Sequence, residues 1–99
     1  MQYYAVYFVE PDAVRRYVVK ANDHRQVEQR SIAQYMADPE RPKGAPLAER
    51  GRVANLTPKQ VNGEFIPRID GKTVPGGPHA TRDLAVEAAV EFLDSRRSQ

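Results

Sequence analysis

His24 and His79 are the only imidazoles in the chain, and neither has a second ligand at metal-binding spacing. His24 falls on the apolar side of an expected helix, near Ser31 and Tyr35, where a half-buried helix-start histidine is the simple reading. His79 precedes a helix cap in a Gly-Pro loop and reads as a loop residue. Ser31, Ser95 and Ser98 lie on helices or the tail, with no nucleophile elbow. No carboxylate pair stands in a pattern that marks a cleft. The residues therefore offer no catalytic set, no metal set and no cofactor motif, and they point to a non-enzymatic protein.

Three constellations suit binding. The first is Gly76-Gly77-Pro78-His79-Ala80-Thr81-Arg82, which opens a helix. Free N–H groups at a helix start attract anions, so Gly76, Gly77, Thr81 and Arg82 form a weak candidate anion site. Walker and GxGxxG spacings are absent, and a tight turn plus a helix cap accounts for the same residues.

The second is a sheet face. Residues 2–9 are dense in aromatic and β-branched side chains and read as a strand, with residues 14–20 returning after a Glu10-Pro11-Asp12-Ala13 turn. A four-residue loop sets Val9 opposite Val14. Phe8, Val6, Tyr4, Tyr17 and Val19 then share the core side, with Arg15 at its margin. The other side carries Tyr3, Tyr7, Val9, Val14, Val18, Arg16 and Lys20, with Tyr7 opposite Arg16 and Tyr3 opposite Lys20. Tyr3, Tyr7, Arg16 and Lys20 are a candidate partner-binding set, because aromatics interleaved with cations stack bases and track phosphates. Tyr and Arg are also enriched at protein interface hot spots. Cross-strand cation–π pairs, or cover by another part of the chain, explain the same pattern without a ligand. A register shift of one residue would exchange the two faces.

The third is the last helix, expected over about 82–96 and capped by Thr81. Leu84, Ala85, Val86, Ala88, Ala89, Val90, Phe92 and Leu93 cover a far wider arc than the ~100° stripe a surface helix needs. Asp83, Glu87, Glu91 and Asp94 fill the remainder as an acidic ridge. Val86, Val90 and Leu93 with these four acids make a candidate second interface. A solvated acidic stripe is the plainer reading.

The elements that position these groups follow from local grammar. A first helix starts at Asp23, with Gln26 three residues on as in a capping box, places Val27, Ser31, Ile32, Tyr35 and Met36 on one side, and stops at Pro39. Residues 38–63 carry Pro39, Pro42, Pro46, Pro58, Gly44, Gly51 and Gly63 and read as a long irregular segment. Inside it, Arg52 to Leu56 allows a strand, and Thr57-Pro58-Lys59-Gln60 reads as a helix start that Asn62-Gly63 ends at once. Residues 64–75 read as a second hairpin turning at Asp70-Gly71, with Pro67 and Pro75 confining it to a sheet edge. The expected fold is α+β, a small single domain over 1–99 with an antiparallel sheet from two hairpins against two helices, in the order ββα, long loop, ββα. Residues 97–99 are a loose tail.

Composition bounds the rest. Ninety-nine residues fit one domain. Leu, Ile, Val and Phe number 21, just above the ~20% below which chains tend to disorder. There is no cysteine, which excludes disulfides and thiolate chemistry. No apolar run approaches the ~20 residues a membrane helix needs, and the N-terminus has no signal-peptide pattern, so a cytoplasmic protein with no membrane partner is expected. Arg outnumbers Lys by 11 to 4, and net charge is only +2. Between residues 41 and 72, seven Lys and Arg face three Asp and Glu. The expectation is a small protein-binding domain, an inhibitor or adaptor of the size and composition common among accessory proteins of phages and mobile elements. Its partner is another protein or a second copy in a homodimer. The alternative is nucleic-acid binding through the Tyr/Arg/Lys face.

Overall fold

A computed structural model describes residues 1–42, 44 and 47–97. Two compact units emerge, Met1–Val53 and Ala54–Gln99.

The first unit is built on the hairpin of β1 (Gln2–Val9) and β2 (Val14–Ala21). Its register is the one the four-residue turn dictates, with Val9 opposite Val14, Tyr7 opposite Arg16 and Tyr3 opposite Lys20. The Glu10 N–H closes the turn by donating to the Ala13 carbonyl at 2.8 Å. Helix α1 (His24–Ala37) follows. Asp23 Oδ1 accepts from the Gln26 N–H, and Gln26 Oε1 accepts from the Asn22 N–H, each at 2.8 Å. The first bond satisfies one of the helix start's orphan donors, and the second ties down the residue before the cap. The helix ends at Ala37 because Pro39 forces the preceding Asp38 out of helical geometry, to ψ 118°.

The hairpin and α1 share one core. Tyr4, Val6, Phe8, Val19 and Ala21 pack with Val27 and Tyr35, and Tyr17, Ile32, Ala48 and Val53 border them. The Phe8 and Tyr35 rings stack at 4.5 Å, and Tyr17 meets both edge-on at 5.8 and 6.0 Å. Offset and edge-on geometries are the ones that aromatic quadrupoles favour. The buried stripe of α1 is Val27, Ser31 and Tyr35; Met36, expected on that side, is 54% exposed. Ser31 Oγ is satisfied by the Glu28 carbonyl at 3.1 Å. Strand β1 is buried from Tyr3 to Phe8 on both faces, which is why its sequence is a continuous apolar run rather than an alternating one.

Strand β3 (Glu49–Asn55) completes a three-stranded sheet in the order β2-β1-β3. Gly51 lies against β1, where an added Cβ would come 3.2 Å from a Val9 methyl.

The second unit corrects the expected order. Lys59–Val61 is a strand, β4, and not the start of a helix; it pairs antiparallel with β5 (Glu64–Ile66). Asn62 and Gly63 join them with φ of +50° and +77°, the doubly positive turn that matches strand twist. Residues 64–75 are therefore not one hairpin. Pro67 is buried and has no N–H to donate, so it separates β5 from the next strand, although its carbonyl accepts from the Val74 N–H at 3.1 Å. A second tight hairpin, β6 (Arg68–Ile69) with β7 (Lys72–Thr73), turns on Asp70-Gly71. The two-hairpin sheet of the sequence reading is replaced by three separate sheets among the described residues. Strands β3 and β4 fall inside the segment expected to be irregular.

Helix α2 (Arg82–Arg97) closes the chain and packs on β5 and β6. Thr81 Oγ1 accepts the Leu84 N–H at 3.2 Å, the expected cap. Ala85, Val86, Ala89, Val90 and Leu93 are buried, as are Leu56, Ile69 and Val74. Of the expected loose tail, Ser98 and Gln99 lie outside the described residues, and Arg97 ends the helix.

Phe8 is the test of the first core. Phe8→Ala removes a ring that is 1% exposed, and truncations of this kind cost about 3–5 kcal/mol. A large fall in the urea midpoint is expected by tyrosine fluorescence, while Met36→Ala stays within about 0.5 kcal/mol of the parent.

Candidate functional site

The residues that converge are not those the sequence singles out. The β1–β2 turn and the end of α1 enclose a cleft of about 450 Å³ lined by Val9, Glu10, Pro11, Asp12, Ala13, Arg15, Tyr35, Pro42 and Ala48. Of its polar members, Glu10, Arg15 and Tyr35 are bound together, while Asp12 is exposed. Glu10 takes a hydrogen bond from Tyr35 Oη at 2.8 Å on one carboxylate oxygen, and Arg15 Nε donates to the other. Arg15 reaches on to the Glu40 carbonyl at 3.1 Å and approaches the Glu40 and Asp38 carboxylates at 3.6 and 3.8 Å. Tyr17 Oη donates to Asp38 Oδ2 at 2.6 Å. The Arg41 guanidinium lies over the Tyr35 ring, 4.8 Å from its centroid.

This network shifts its own titrations. The Tyr35 hydrogen bond, with Arg15 assisting, holds the Glu10 carboxyl below its usual range. Asp38 is lowered by the Tyr17 hydroxyl, the Glu40 N–H and Arg15. Burial, reinforced by Asp38, pushes the Tyr17 hydroxyl well above its usual value. With its donors and acceptors already engaged, the network is a brace. Besides the exposed Asp12, what the cleft leaves for a partner is apolar, with Val9 50% exposed.

The sheet-face candidates are positioned differently from an open platform. Tyr3 and Tyr7 are only 7% and 3% exposed. Arg16 is half-buried, and Lys20 is exposed with Nζ 5.4 Å from the Tyr3 ring centroid. The cross-strand pairing is as read, but rings this buried have no face for a base to stack on.

On α2, Asp83, Glu87 and Glu91 are exposed, whereas Val86, Val90 and Leu93 are buried and Asp94 is half-buried. The acidic ridge is on the surface; the apolar part of that candidate interface is not. Around the candidate anion site, each residue has a structural task. An added Cβ on Gly77 would come within 2.5 Å of the Pro67 ring, so glycine is required by close approach. Gly76 has φ +100°, Thr81 caps α2, and the Arg82 guanidinium lies 5.3 Å from the Phe65 ring centroid. His79 bridges backbone to backbone with Phe65 through two hydrogen bonds of 2.8 Å. His24 is exposed and sits 6.4 Å from the Tyr4 ring, not in the apolar stripe of α1. Among the described residues, no three His, Asp or Glu side chains are placed to hold a metal ion, and no helix is long and apolar enough to cross a membrane.

The sequence signal for the cleft was faint. Glu10 and Arg15 flank a turn that reads as nothing more, and their partner Tyr35 lies 25 residues from Glu10.

Three comparisons bear on identity: no family model, no curated protein and no solved structure matches the chain.

The lowered carboxyls set an acid limit. Their contribution is complete above the ordinary range near pH 4 and disappears as pH falls through the lower folded values. The first unit is expected to lose stability steadily below about pH 4. Glu10→Gln flattens that slope, and denaturant titrations across the acid range measure it.

Proposed function

We propose that this chain is a small non-enzymatic protein-binding domain, of the inhibitor or adaptor kind, and that it meets its partner at the cleft beside the β1–β2 turn. One observation carries the reading. Glu10, Arg15 and Tyr35 are tied into an internal brace, and apart from the exposed Asp12 the rest of the lining is Val9, Pro11, Ala13, Pro42 and Ala48. A catalytic cleft needs polar groups aimed at a substrate. A recognition cleft needs a rigid, largely apolar concavity with its charges already satisfied. The aromatic brace of Phe8, Tyr17 and Tyr35 beneath the turn supplies the rigidity, so little ordering cost is added on association.

The experiment compares affinity capture from the source cell by the parent, by Val9→Asp and by Leu84→Asp, an exposed control on α2. The expected result is a discrete protein retained by the parent and the control and lost by Val9→Asp, with about tenfold or greater weakening, the scale of an interface hot spot. Equal capture by all three, or no capture by the parent, overturns the reading.

A further inference from the structure

The lining of the hairpin cleft divides by chemistry. Val9, Pro11, Ala13, Pro42 and Ala48 are apolar, and Glu10, Arg15 and Tyr35 are bound to one another. Asp12 belongs to neither group. It lines the cleft between Pro11 and Ala13, is exposed, and takes no part in the brace. The bond from the Glu10 N–H to the Ala13 carbonyl closes the turn around it, so the backbone that carries this carboxylate is fixed.

The charges beside the cleft do not balance. Arg15 holds a single positive charge and meets three carboxylates: Glu10 through a hydrogen bond, and Glu40 and Asp38 at 3.6 and 3.8 Å. Arg41, over the Tyr35 ring, adds a second cation. With Asp12, four carboxylates stand against two guanidiniums among these residues. The Glu40 side chain is 83% exposed, so the excess is not hidden from solvent. Negative charge bordering an apolar concavity attracts cations and repels anions. A nucleic acid would bring phosphates to it. A second copy docked through the same patch about a two-fold axis would set one acidic border against another, and like charges so placed work against association.

We infer, resting on the cleft as the partner surface, that its occupant is a basic segment of another protein. That segment buries one apolar side chain against Val9, Pro11, Ala13, Pro42 and Ala48 and sets a neighbouring lysine or arginine against Asp12. The apolar anchor supplies most of the affinity, as a side chain filling a pocket does at other interfaces. The exposed charge pair adds little affinity and acts by discriminating between partners.

The test titrates the full chain, isotopically labelled, with three blocked peptides that share a central leucine and differ in the residues flanking it: lysine, glutamine or glutamate. A fourth peptide keeps the lysines and replaces the leucine by alanine. The leucine peptides are expected to shift the amides of Val9, Glu10, Asp12, Ala13 and Ala48. The lysine peptide should bind about fivefold more tightly than the glutamate peptide, the scale of an exposed ion pair set against the equivalent repulsion. Asp12→Asn, a change of charge without change of shape, should reduce that preference, and Asp12→Lys should reverse it. In molar salt, where charges act within about 3 Å, the preference should collapse while the need for leucine remains. Equal binding by the three leucine peptides overturns the inference and leaves the cleft standing as a partner surface. Equal binding by the alanine peptide overturns it in favour of loose charge attraction, and a preference unaltered in both Asp12 variants overturns it because the cation is then met elsewhere. No shifts at the cleft with any leucine peptide at millimolar concentration overturns the inference and the cleft reading together.

Discussion

The hydrogen bond from Tyr35 to Glu10 ties the first unit together. It joins the last turn of α1 to the turn of the β1–β2 hairpin, two segments 25 residues apart. Tyr35 can deliver it because its ring is clamped against Phe8 and Tyr17. Glu10 can receive it because Arg15 fixes the other half of the carboxylate. An apolar clamp sets the position, and a charge-assisted network sets the orientation. Without the first the second would have no fixed address, and without the second a buried hydroxyl would lack its acceptor.

The network also explains why α1 ends where it does. Pro39 turns the chain out of the helix at Asp38, and Asp38 then accepts from Tyr17 while standing near Arg15. The helix terminator is thus also what carries a carboxylate into the brace. Local backbone chemistry and long-range electrostatics coincide at one residue, the kind of agreement between levels that favours a single native arrangement.

How much of this was legible depended on range. The β1–β2 register followed from counting four loop residues, and the starts of both helices followed from Asp23 and Thr81, because caps and tight turns are decided within a few residues. The strand at Lys59–Val61 was misread because Thr57-Pro58 has the grammar of a helix start; the competing signal, Asn62-Gly63 between short β-prone runs, was the stronger one. The stretch 64–75 was read as one hairpin because Asp70-Gly71 is so clear, although Pro67 interrupts the ladder between β5 and β6. The cleft was barely legible. Its lining joins Glu10 and Arg15 to Tyr35, which only the tertiary fold brings together. Exposure was equally opaque: the Tyr3 and Tyr7 pairings were right, but pairing does not tell whether a ring is covered.

The self-satisfied cleft has a thermodynamic corollary. A partner seated on Val9, Pro11 and Ala13 would release water from hydrocarbon while leaving the Glu10–Arg15–Tyr35 bonds intact. Such an association is marked by a negative heat-capacity change. Calorimetry would therefore read the apolar character of the cleft from the heat-capacity change of binding.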